Sequence, residues 1–329
     1  MILAGDIGGT KTVLALYRNL SGRLEPEREE VFKSRDFPHF EEILTRFLEQ
    51  KGRGNVKTIC LGVAGPVRNG QCQTTNLPWF LDEQKLAESF GVEKVKLLND
   101  LEAAAYGMLY LPDNEMAEIN KGAWPQTKGN IAVIAAGTGL GEALLFWSGQ
   151  EYCPVASEGG HADFAPRTDL EIDLLRFLRS GFGHVSYERI LAGPGIYNVY
   201  NFLCKTGFAP EPEWLRDRLQ SGDPSAIISQ VGLDGGHKLC TETLNLFSSI
   251  YGAEAGNLAL KGLAIGGVYI GGGIAPKILE KLKDGTFMQG FLDKGRYSNL
   301  MKEVPVKVCL NSRAPLIGSA HYALRISQD

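Results

Sequence analysis

Short apolar runs broken by glycine alternate along this chain with longer stretches whose apolar positions recur every three or four residues. The first pattern predicts buried strands and the second predicts amphipathic helices. Apolar runs at residues 2–5 and 13–17 predict two strands joined by a tight turn at Gly8-Gly9. Further strands are expected near 30–33, at 58–63 and at 95–98, with helices over 38–50 and 101–111. Pro112 closes the last of these and opens a polar connection to about residue 130, where we expect a domain boundary. The second part opens in the same way, with strand 131–136, a glycine turn over 137–141 and strand 143–147. Helices follow over 170–180, 193–205 and 237–261; the last carries Leu239, Leu244, Leu246, Phe247 and Ile250 near helical spacing. A buried strand at 264–270 enters a triple glycine, and a strand at 304–310 and a helix at 316–326 close the chain.

The order strand, glycine turn, strand, then strands mixed with helices thus occurs twice. Such a weak repeat predicts two α/β domains with a cleft between them. A length of 329 residues agrees, because single cores rarely grow beyond roughly 250–300 residues. We expect a small α/β domain over 1–111, with a C-terminal helix (about 311–329) packing back on it, and a large α/β domain over 112–310.

Composition removes several functions. A net charge of −4 argues against a nucleic-acid binder that works through a basic surface. The six cysteines are scattered with no C-x-x-C pair, which is neither a disulfide framework nor a zinc site and suits a reducing cytosol. The opening residues carry no basic, cleavable apolar leader, and the longest uncharged stretch falls short of the ~20 residues of a membrane span. A soluble cytoplasmic protein is expected, with no membrane or nucleic-acid partner. Glycine is the outlier: 40 of 329 residues, against a usual level of about 7%.

Three glycine turns stand out, at Asp6-Ile7-Gly8-Gly9-Thr10, Gly137-Thr138-Gly139-Leu140-Gly141 and Gly271-Gly272-Gly273. Taken singly, each could be an ordinary tight hairpin. The first is not a Walker A loop, since Thr10 stands where a glycine must precede Lys11; the second lacks the G-x-G-x-x-G spacing. Both familiar phosphate loops open a helix. Here the first two turns lead instead into apolar strand-like runs, so they are read as β-hairpin loops. Their glycines would let backbone N–H groups approach phosphate oxygens, with Thr10 and Thr138 adding hydroxyls. Two such hairpins in corresponding halves suggest one polyphosphate held from both sides.

At this point the sequence resembles the sugar kinase, Hsp70 and actin superfamily. Gly5-Asp6-Ile7-Gly8-Gly9-Thr10 is similar to its first phosphate motif, 136–141 to its second, and Gly266 through Gly273 to its adenosine motif. The match narrows to the bacterial glucokinase family. Thr75-Asn76-Leu77-Pro78-Trp79, Leu98-Asn99-Asp100-Leu101-Glu102-Ala103, Glu158-Gly159-Gly160-His161-Ala162-Asp163-Phe164 and Ser186-Tyr187-Glu188-Arg189-Ile190-Leu191 all resemble its segments, in the same order. Lys11 departs from that group, which usually has Asn there, and looks more like the related ROK kinases. The Cys-rich zinc motif of the ROK family is absent.

The resemblance implies a two-domain actin-like ATPase (ribonuclease H-like) fold with an interdomain cleft. It also implies ATP-dependent phosphorylation of glucose to glucose 6-phosphate in a homodimer. Asp100 would accept the proton of the 6-hydroxyl, and Asn99, Asp100, Glu158, His161 and Glu188 would hold the sugar. Gly5, Asp6, Gly8, Gly9, Thr10, Gly137, Thr138, Gly139, Gly271, Gly272 and Gly273 would hold the nucleotide, with Asp6 on Mg²⁺, through water. Each residue also has a plainer reading. Asn99 with Glu102 imitates a capping box, Asp6 could bond within its own turn, and His161 could be a structural histidine. Glu188, in a helical context, could be solvated, and Trp79 could be packing alone. A kinase of another hexose or amino sugar, or a sugar- and nucleotide-sensing protein without turnover, remain the alternatives.

Overall fold

A computed structural model describes residues 1–49, 56–123 and 128–328. Its chain divides into two compact units, one of residues 1–113, 152–156 and 311–329, the other of 114–151 and 157–310.

In the first unit, β1 (Ile2–Ile7) turns through Gly8 and Gly9 into β2 (Lys11–Leu20), which pairs with β3 (Arg23–Lys33); both pairings are antiparallel. The helix expected over 38–50 is α1 (Phe40–Glu49), and its residue 50 lies outside the described residues. Its buried Phe40, Ile43, Leu44, Phe47 and Leu48 form one stripe of helical period. β4 (Thr58–Val63) lies parallel to β1 and is buried along its whole length, as parallel strands commonly are.

Three elements that the periodicity did not announce follow: the short pair β5 (Gln71–Gln73) and β6 (Phe80–Asp82), then α2 (Glu83–Phe90). α2 is framed by an Asp82 N-cap, which accepts from Lys85 N, and by Gly91 in the left-handed region at φ 63°. β7 (Lys94–Asn99) runs parallel to β4 and passes directly into α3 (Asp100–Met108). The sheet order is β3-β2-β1-β4-β7, and the C-terminal helix Ala314–Ile326 crosses α3.

The second unit repeats the plan. The polar connection predicted over 112–130, whose residues 124–127 lie outside the described residues, contains a strand, β8 (Met116–Asn120). β9 (Ile131–Ala136) and β10 (Leu140–Trp147) form the second antiparallel hairpin; β11 (Tyr152–Ser157), mostly grouped with the first unit, follows. Helices α4 (Asp169–Phe182), α5 (Gly193–Lys205), α6 (Glu213–Ser221), α7 (Pro224–Leu233) and α8 (Lys238–Gly262) precede β12 (Gly267–Gly271). Short helices α9 (Leu279–Lys283), α10 (Thr286–Leu292) and α11 (Ser298–Glu303) lead to β13 (Val306–Cys309) and the C-terminal helix, α12. β12 lies parallel to both β9 and β13, and β8 closes the run β10-β9-β12-β13-β8 antiparallel to β13.

Candidate active site

Both glycine turns are hairpin loops, closed by the pairs Ile7↔Thr12 and Ala136↔Leu140. In the first, Gly8 N donates to Lys11 O at 3.0 Å. Ser34, fully buried, donates through its hydroxyl to Gly8 O (2.7 Å) and through its amide to Thr10 O (3.1 Å). The carbonyls, which would repel a phosphate, are thereby engaged by the protein. Gly9 leaves no room for a side chain, since a Cβ there would stand 2.7 Å from Cβ of Asn76.

The second hairpin is held by Gly137 N to Gly139 O (2.8 Å) and by Gly193 N, at the start of α5, to Gly137 O (2.8 Å). Gly137, Thr138 and Gly273 line a cavity of about 870 Å³ in the second unit. Gly193 and Pro194 at the head of α5, Ser225 at the head of α7, and Lys277 complete its polar side, while Ile196 and Leu233 are apolar. Helix N-termini carry partial positive charge, so these two ends suit an anion or its sugar. Sequence reading placed α5 but gave it no role, and α7 was not foreseen, although Asp223-Pro224 is a cap followed by a first-turn proline. Gly272 has φ 81°, and a Cβ there would run into the Ala136 carbonyl. Only glycine lets the 271–273 turn pass over the end of β9.

Asn99 and Asp100 sit where β7 ends and α3 begins. The capping box is real, and Asn99 makes it: its Oδ1 accepts from Leu101 N (2.9 Å), and its own N–H donates to Glu102 Oε2 (2.9 Å). Asn99 Nδ2 also donates to Gly65 O at 3.1 Å, which fixes the amide. Asp100 is thus the first helical residue rather than the cap; its Oδ1 accepts from Leu101 N at 2.9 Å. Asp6, on β1 of the same unit, has its carboxyl pushed up to about 6, first by burial and then by the charge of Asp100, with Lys11 pulling the other way. The Asp100 charge beside Asp6 marks a place where a cation is electrostatically welcome.

In the second unit, Glu158 precedes a single 3₁₀ turn, Gly159–His161. Glu188 lies in another, Tyr187–Arg189, so the helical context its sequence suggested is a single 3₁₀ turn. Backbone bonds knit the two turns: Tyr187 N donates to Ala162 O (3.1 Å), and Phe164 N to Val185 O (2.9 Å). His161 Nδ1 thereby comes to 3.9 Å from Glu188 Oε1. The other oxygen, Glu188 Oε2, accepts from Leu140 N at 3.0 Å, immediately after the second hairpin. One carboxylate therefore ties the glycine hairpin to the Glu158–His161 turn, a link across 48 residues that no local pattern displays. Trp79 is 1% exposed, and its Nε1 donates to Phe37 O (3.1 Å), which is the packing role.

A family model described as Glucokinase matches residues 3–326. The glucokinase of Trichormus variabilis is 41% identical over 341 residues, covering 99% of both chains. Among solved structures, a glucokinase from an Antarctic psychrotroph superposes with a TM-score of 0.86 at 34% identity, over 98% of both chains. A ROK family glucokinase from Streptomyces griseus, solved with glucose and AMPPNP, reaches a TM-score of 0.63 at 20% identity, over 98% of this chain and 99% of its own. The architecture is therefore the two-domain actin-like ATPase fold. Taken together, the whole-chain family match and the closely related sequences establish that this chain belongs to the glucokinase family of sugar-phosphorylating enzymes.

Proposed function

We propose that the chain transfers the γ-phosphoryl group of ATP to the 6-hydroxyl of D-glucose, with Asp100 as the proton acceptor. The observation that carries this reading is the division of labour at the head of α3. Asn99 and Glu102 cap the helix, so Asp100 is not the residue that caps it, and its charge acts on Asp6 of the same unit. The position, just beyond the carboxyl end of a parallel strand, is where ligands collect in open α/β sheets.

Phosphoryl transfer needs positioning and charge neutralisation more than covalent help. The Gly8-Gly9-Thr10 and Gly137-Thr138-Gly139 hairpins would present backbone amides and two hydroxyls to the phosphates. The 870 Å³ cavity beside Thr138 and Gly273 would take the nucleoside. Its apolar and polar sides suit a base and a ribose. The carboxylates of Asp6 and Asp100 are hard oxygen donors and fit Mg²⁺; we assign Asp6 to it, through water. Magnesium supplied with the nucleotide would offset the charge of the phosphates.

Glu158, His161 and Glu188 would hold the sugar, with Asn99 offering the lone pair of Oδ1 that its cap bond leaves. Carboxylate and amide oxygens accept from hydroxyls, and an analogue lacking one hydroxyl would leave a buried acceptor unpaired. Asp100 would then take the 6-hydroxyl proton as the oxygen–phosphorus bond forms. The ligands of the Streptomyces griseus protein, glucose and AMPPNP, support the same substrate pair here. The resemblance extends the proposal to a homodimer working in the cytoplasm.

The test is a coupled assay of ADP formation with glucose. Asp100→Asn should lower kcat by about 10²–10⁴, the usual weight of a general base, with a much smaller change in KM for glucose. A near-native kcat would remove Asp100 from the role.

A further inference from the structure

Behind the Glu158–His161 turn lies a pair of buried acids for which the reaction has no use. Glu142 on β10 is 2% exposed and Glu254 on α8 is fully buried. Their carboxyls are in hydrogen-bonding contact; among the described residues Glu142 Oε1 has no hydrogen-bond donor, and Glu254 Oε1 has only the Lys261 ammonium, at 3.5 Å. Two carboxylates are acceptors only, so a bond between them requires a proton on one. Burial first, and the neighbouring Glu254 charge second, push the Glu142 carboxyl up to about 7.

Glu142 also touches one of the two turns, and Glu254 is linked to the other through Asn257. A Cβ at Gly159 would collide with Glu142 Oε2, and one at Gly160 with the Leu140 carbonyl, so the turn rests directly on the Glu142 carboxyl and the β10 backbone. Glu254 Oε2 accepts from Asn257 Nδ2 (2.8 Å), which also donates to the hydroxyl of Tyr187, the neighbour of Glu188. The other charged or titratable groups facing the pair are few. Lys261 Nζ stands 3.5 Å from Glu254 Oε1 with its side chain 61% exposed, and Tyr187 and Tyr251 approach Glu254 and Glu142 respectively. Lys294 reaches the same region and donates to Ala253 O at 3.0 Å.

We propose that Glu142 and Glu254 share one proton, and that this pair is a positioning device that keeps the Glu158–His161 turn in its sugar-binding place. Loss of the proton sets two like charges against each other in a site closed to water. Glu254 is anchored in the 25-residue helix α8, whereas Glu158 and His161 lie at the surface, so the turn is the side that yields. Sugar affinity then weakens as pH rises through neutrality, while turnover of bound sugar is unchanged. The inference rests on the reading that Glu158 and His161 hold the sugar.

Kinetics of the full chain between pH 6 and 9 test it. In the native protein KM for glucose should rise several-fold above about pH 7 with little change in kcat. Glu142→Gln, whose amide is a permanent donor to Glu254, should abolish that rise and keep the low-pH KM at pH 9. If the rise is the same in Glu142→Gln, or absent from the native protein, the proposal is overturned. Should Glu142→Gln fold poorly, Glu254→Gln serves in its place with the same expectation. Two readouts separate this from the sugar-site reading. His161→Ala at pH 6 must raise KM for glucose, or that reading fails by itself. The difference infrared spectrum of native protein minus Glu142→Gln at pH 6 should hold the band of a protonated carboxylic acid, which reports the shared proton without any substrate and apart from Asp6; its absence from the difference overturns the pair.

Discussion

Glu188 joins two sites with one carboxylate. Its Oε2 accepts from Leu140 N, and its Oε1 faces His161, so a shift of this side chain disturbs the hairpin end and the Glu158–His161 turn together. Gly139 guards that arrangement: a Cβ there would stand 2.5 Å from Glu188 Oε2. Its φ is not in the left-handed region, so alanine is tolerated by the backbone and acts only through this contact. Gly139→Ala should therefore push Glu188 off Leu140 N. The loss of a charge-assisted bond predicts about a tenfold rise in KM for glucose. Thermal unfolding should move little, because the displaced group is the far end of a flexible side chain. An unchanged KM would mean that Glu188 does not bind sugar from this position. Sequence reading singled out both Gly139 and Glu188 but set the one in a hairpin turn and the other in a helical context, since contact between residues so far apart in the chain has no periodic signature.

At the level of elements, much of the glycine surplus has a use that composition could not reveal. α3 and α12 cross through glycines. A Cβ at Gly318 would fall on the Ala103 carbonyl, one at Gly107 on that of Ala314, and one at Gly62 within 2.9 Å of the Ala103 methyl. α8 and α10 meet in the same manner at Gly252 and Gly290. These obstacles are mostly backbone, which yields less readily than a side chain. Gly318→Ala should thus cost about 1–3 kcal/mol by overpacking, read as a lower denaturant midpoint at unchanged slope. A neutral effect would mean that the helices can part without loss.

The elements legible beforehand were those with long or continuous apolar patterns: β4, β9 and the 25-residue α8, whose ends came within a residue of expectation. β8 was read as a polar connection because Met116–Asn120 is an edge strand that never fully buries a residue. α2 is only eight residues long with Leu86 alone buried, so its caps were its signal rather than its period.

For the whole molecule, a net charge of −4 coexists with proposed binding of a polyanion because hairpin amides and helix ends, rather than a basic surface, would meet the phosphates. No described helix is long and apolar enough to cross a membrane. The proposed sugar ligands are divided between the units: Asn99 and Asp100 belong to the first, and Glu158, His161 and Glu188 to the second. That division has a thermodynamic consequence. A ligand at about 100 times its Kd stabilises the folded state by about 2.7 kcal/mol. If Asn99 and Glu158 both hold the glucose, as proposed, its stabilisation must depend on each of them. Calorimetry with and without glucose should show the gain in the native protein, and Asn99→Ala and Glu158→Ala should each remove most of it. A gain that survives Asn99→Ala intact but vanishes in Glu158→Ala would place the sugar on the second unit alone. In that event Asp100, one residue from Asn99, would lose its claim on the 6-hydroxyl proton as well.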